Sequence, residues 1–75
     1  MRQSAHRETI VSQTIEGALA MKAAGKSVDD AIEASQMFIM TCLRKENFCL
    51  ADAIPECQAI LRQVGARMRV KFSQK

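Results

Sequence analysis

Apolar residues recur along the chain at helical spacing in three blocks, and the breaks between blocks carry the chemistry of helix stops and starts. In the first block Val11, Ile15, Ala18 and Leu19 form a stripe, widened on one flank by Ile10, Gly17 and Met21, with Thr9, Ser12, Gln13, Glu16 and Ala20 opposite. Steps of three and four residues return a side chain to the same face of an α-helix, so the pattern predicts a helix over about residues 4–24. Gly17 inside it costs about 1 kcal/mol relative to alanine and reads equally as close approach of a neighbouring backbone or as tolerated drift. Gly25 ends the helix: a glycine just past the last periodic residue takes the left-handed cap conformation, and Lys22 and Lys26 suit the negative end of the helix dipole.

Ser27-Val28-Asp29-Asp30 restarts the chain as a helix. Ser27 caps the free amides, and the two carboxylates lie in the first turn, where the dipole favours negative charge. The stripe Val28, Ile32, Ser35, Ile39, Cys42 and Leu43 carries this helix over about 28–45. A join this short between the first two helices forces a hairpin or a steep corner. The run Met37-Phe38-Ile39-Met40-Thr41-Cys42-Leu43 is apolar around most of the circumference, which one buried face does not explain.

Asn47 is expected to cap a short helical turn near 48–53, and Pro55, favoured in a first helical turn, to open the third helix over about 55–68 with Glu56 beside it. Its stripe is Ile54, Cys57, Leu61, Val64 and Met68, broadened by Ile60; Gly65 weakens it and marks a possible early end. Beyond it Met68-Arg69-Val70-Lys71-Phe72 alternates apolar and basic, a period that suits a short strand, an extended basic C-terminal arm or a fraying helix. The expectation is therefore an all-α, compact three-helix domain spanning 1–75.

Composition narrows this further. A chain of 75 residues holds one domain, because two cores would each fall below the roughly 40 residues at which folding usually needs staples or partners. With 48% hydrophobic residues it is too apolar to remain disordered. The net +3 is segmented: residues 1–26 carry +2, residues 27–61 carry −4, and residues 62–75 carry +5. The three cysteines, Cys42, Cys49 and Cys57, are odd in number and set in apolar stretches, which points to a reducing cytoplasm rather than a secreted disulfide scaffold. No secretory leader is legible, and the longest apolar window falls far short of the roughly 20 residues that span a bilayer.

Chemistry finds little foothold. His6 is the single histidine and lies near an end of the chain with no nucleophile beside it, so no catalytic residue is assigned. The cysteines lack the short Cys-x2–4-Cys knuckle of a zinc site, so no metal or cofactor is assigned either. Asp29, Asp30 and Glu33 are explained by the helix dipole. They also spoil a helix-turn-helix reading of the first two helices, since the groove-facing end would bring carboxylates to a polyanion.

Two functional expectations remain. The first is a small cytoplasmic protein-binding module, a regulator, adaptor or inhibitor that occupies a surface of a larger partner and is itself a candidate homodimer; Met37, Phe38 and Met40 are its contact residues. The alternative is a small nucleic-acid-binding regulator using Arg62, Arg67, Arg69, Lys71 and Lys75.

Overall fold

Three helices fold against one another: α1 (Arg7–Ala23), α2 (Val28–Lys45) and α3 (Leu50–Ser73). The computed structural model describes residues 2–73, with side chains as far as residue 70. At about 1.5 Å per residue α3 alone is about 36 Å long, and the whole measures 39 × 17 × 17 Å. It is a slim bundle whose length is set by its last helix.

Both interhelical joins are left-handed caps. Gly25, at φ +85°, follows α1; its amide donates to Lys22 O at 3.0 Å and the next amide, Lys26, to Met21 O at 3.0 Å. Asn47, at φ +64°, does the same after α2: its amide reaches Arg44 O at 3.0 Å and that of Phe48 reaches Leu43 O at 3.1 Å. This is the double hydrogen bond of a Schellman motif, and the apolar contact that usually accompanies it is supplied by buried Leu43 and Phe48. Asn47 therefore closes α2 rather than capping a later turn. Asparagine serves here because it is among the few side chains that tolerate the left-handed region.

Ser27 caps α2 as expected, its Oγ accepting from the Asp30 amide at 3.1 Å. The expected start of the third helix at Pro55 is corrected: α3 begins at Leu50 and absorbs the turn near 48–53. Cys49 starts it, its carbonyl accepting from the amides of Asp52 at 3.1 Å and Ala53 at 2.8 Å and its thiol donating to Asp52 Oδ2 at 3.3 Å. Pro55 lies in the second turn, where its missing N–H removes one intrahelical bond to Ala51, an exposed residue. The helix also passes Gly65 and continues through the alternating segment to Ser73, so the basic arm is helical as far as it is described, and no strand occurs among the described residues.

The core is a column of Val11, Ile39, Leu43, Ile60, Val64 and Met68, each fully enclosed. The third stripe is phased on Ala53, Cys57, Ile60, Val64 and Met68, which leaves Ile54 46% exposed instead of in the core. In α2 the enclosed side chains are Ala31, Ser35, Ile39 and Leu43, while Val28, Ile32 and Cys42 are half-buried. Buried hydroxyls are satisfied locally: Thr14 Oγ1 donates to Ile10 O and Ser35 Oγ to Ala31 O, both at 2.6 Å. Of the two readings of Gly17, close approach is absent, since a Cβ built there meets nothing within 4 Å.

Candidate functional site

The chain leading into α1 is tied across the α2–α3 join. The Arg2 guanidinium stacks 4.0 Å from the Phe48 ring centroid and donates to Glu46 O at 2.9 Å and Asn47 O at 3.1 Å, two carbonyls at the end of α2. Ser4 Oγ donates to Glu46 Oε2 at 2.5 Å, and the Ser4 amide to Glu56 Oε2 at 2.8 Å. Arg7 grips Glu56 with both arms of its fork, Nε to Oε2 at 3.0 Å and Nη2 to Oε1. Glu56 is 3% exposed. Burial raises the pKa of its carboxyl, but the Arg7 hydrogen bond, the Ser4 amide and the Arg7 charge together hold it below the ordinary value; the same pairing raises Arg7. Every group of this clasp is used in holding the ends of three helices together, which makes it structural. The sequence places Glu56 only in the first turn of a helix opening at Pro55; a carboxylate in register with Ala53, Cys57 and Ile60 is the available sign that it is buried and paired.

The candidate contact residues divide around α2. Met37 is 69% exposed and points outward, Phe38 is 39% exposed on the α1 side, and Met40 is half-buried against the core on the other flank. Phe38 rims a 240 Å³ groove between α1 and α2 whose walls include Gly17, Ala18, Met21 and Ala34. Met37 and Met40 border a separate shallow depression with Gln36, Thr41 and Arg44. They are thus two neighbouring patches on one helix rather than one cluster.

On α3, Arg62 and Arg69 are seven residues apart and line one open groove of 460 Å³, with Ile32 from α2 and Leu61, Gly65 and Ala66 from α3. Arg67 is exposed but lies two residues from Arg69, on another side of the helix. Lys71 is in α3 by its backbone, with its side chain outside the described residues, and Lys75 lies outside them altogether. Three more exposed apolar side chains accompany these on α3: Leu50 at 65% and Ile54 at 46%, one turn apart, and Val70 at 61% farther along. Sequence reading had placed Ile54 in the core and Leu50 in a turn; their spacing of four was the sign that they share a face.

The three cysteines are free; Cys49 is exposed, Cys42 half-buried and Cys57 buried. Burial pushes the thiols of Cys42 and Cys57 up, and that of Cys57 lies 4.0 Å from Gln36 O. Among the described residues no three His, Cys, Asp or Glu side chains converge on a metal-sized site, and no helix is long and apolar enough to cross a membrane.

Fold and surface together define an all-α three-helix domain with apolar patches on its middle helix and a basic-lined groove beside its last one. No family model, curated protein or solved structure matches the chain.

Proposed function

We propose that this chain is a small protein-binding module, a regulator, adaptor or inhibitor that acts by covering a surface of a larger partner. One observation carries the reading: Met37 and Phe38 stand exposed on two neighbouring patches of a helix whose core face is fully enclosed. Aromatic and methionine side chains exposed next to a groove are the anchors that protein interfaces favour. A cytoplasmic setting belongs to the same proposal, supported by three free thiols.

The nucleic-acid reading has its own support in Arg62 and Arg69, which share one groove. Two features weigh against it. Asp29 and Glu33 flank Ile32, the α2 residue in that groove, so a polyanion would meet carboxylates there. Arg67 lies off the shared face.

The test is quantitative capture on the immobilised protein from an extract of its host, comparing wild type with Met37→Asp and Phe38→Asp, each checked for native helicity by circular dichroism. A partner retained by wild type and lost with either substitution supports the reading. Identical capture by all three, or retention on duplex DNA at low salt that Arg62→Glu abolishes, removes it.

A further inference from the structure

We infer that the seam between α2 and α3 is a homodimer interface, closed by a two-fold axis parallel to the helices that lays α2 of each protomer on α3 of the other. The Cys57 thiol meets Gln36 O, and Ile32 shares a groove with Leu61. A step of four backward on α2 is thus a step of four forward on α3, so the two helices run antiparallel in that register.

Along this seam each helix presents a flank. On α3, positions 50, 54, 58, 61, 65 and 69 follow spacings of four, four, three, four and four and form one stripe. It is apolar at Leu50 and Ile54 and basic at Arg69, with Arg62 adjoining, and it is bare at Gly65, where nothing lies within 4 Å of a built Cβ. On α2 the flank beyond Ile32 carries exposed Asp29 and Glu33 at one end and Met40 and Met37 at the other. In the antiparallel register the carboxylates lie level with Arg62, and Met40 lies level with Ile54.

The seam therefore has two walls of opposite charge at one end and two apolar walls at the other. A two-fold axis along the helices keeps heights and exchanges walls. Asp29 and Glu33 then face the partner's Arg62, and Met37 and Met40 face the partner's Ile54. Each α2 becomes antiparallel to both α3 helices, the arrangement of an up-down four-helix bundle with opposed dipoles. A two-fold across the seam instead sets Arg62 and Arg69 on the partner's Leu50 and Ile54, placing charge on apolar surface. Charge and apolar pattern together select the first.

The stripe runs about 30 Å and is two helices wide, which gives roughly 600 Å² per protomer, the lower end of stable interfaces. This proposal rests on the protein-binding reading and assigns Met37 to the second copy, which leaves Phe38 and the α1–α2 groove to the larger partner. The two fail separately: a monomer ends this one, whereas capture indifferent to Met37 and Phe38 ends that one.

The experiment is sedimentation equilibrium over about 1–200 µM, bracketing micromolar affinity, with helicity of each variant checked by circular dichroism. Wild type is expected to pass from the 8.3 kDa monomer to twice that mass. Ile54→Asp is expected to raise the dissociation constant at least about tenfold, as loss of a central interface anchor does; Leu50→Asp serves if that variant is not native. Glu33→Arg and Arg62→Glu should each weaken the dimer, and both changes in one chain should restore it. A wild-type monomer at the highest concentration, a dimer indifferent to Ile54→Asp and Leu50→Asp, or one broken by Phe38→Asp instead overturns the proposal.

Discussion

Replacing Glu56 with glutamine keeps the shape of a 3% exposed side chain and removes its charge. The carboxylate accepts from Arg7 Nε at 3.0 Å, from Arg7 Nη2 and from the Ser4 amide at 2.8 Å. Glutamine has one acceptor oxygen: with it in the place of Oε2 the Arg7 Nε and Ser4 bonds survive and the NH2 faces the Arg7 Nη2 donor, whereas the flipped amide loses the other two bonds instead. Breaking a fully buried pair costs about 3–5 kcal/mol, and a hydrogen bond to a charged group is worth about 1.5–3 kcal/mol. The Arg7 side chain is 25% exposed and recovers water when its partner goes, which places the expected loss near 2 kcal/mol. A domain of 75 residues holds about 4–11 kcal/mol in total, so the melting temperature should fall by about 8–16 °C.

The pH dependence provides the sharper check. Because the folded-state carboxyl is held below its ordinary value, its stabilisation is fully present above the unfolded value of about 4.3 and is lost as pH falls through the folded one. Urea unfolding followed by circular dichroism, repeated from about pH 7 to about pH 2, should show the gap between wild type and Glu56→Gln shrink in the acid range. A gap below about 0.5 kcal/mol at neutral pH, or one that stays constant on acidification, refutes the account of the clasp.

The glycines give opposite expectations. Gly17→Ala, with open space where the Cβ goes, should raise stability by about 0.5–1 kcal/mol, whereas Gly25→Ala at φ +85° should lower it by about 1–2 kcal/mol; thermal melts in which Gly17→Ala loses stability contradict the first. With an aromatic disulfide reagent the exposed Cys49 should react first and the buried Cys57 last, at a rate tied to opening of the bundle. Peptide mapping that finds Cys57 modified as fast as Cys49 contradicts its enclosure.

Helix boundaries were legible wherever a local device sets them. Gly25 and the Ser27 cap define the first join because the left-handed region and an N-terminal hydroxyl are properties of single residues. Pro55 misled for the same reason: its preference for a first turn is local, while the first helical turn from Leu50 is held by Cys49 and the core contact of Ala53. Gly17 stayed open between two readings because a glycine's tolerance of close approach does not say that anything approaches. Of the candidate surface, Met37 and Phe38 stood out as apolar residues beyond what one face needs, but Ile54 changed from core to surface once α3 was phased on Ala53 and Cys57.

By itself the sequence determined three helices, the short first join and the segregation of charge along the chain, because helical periodicity, caps and dipole preferences act within a few residues. Only the tertiary structure decided that Arg7 pairs with Glu56, that Arg2 stacks on Phe48, and that Met37 and Phe38 open onto different grooves. Those pairings join residues more than 40 positions apart, and which side of a helix is left uncovered depends on the rotation at which its neighbours dock. Periodicity fixes that angle within each helix, but packing alone fixes it between them.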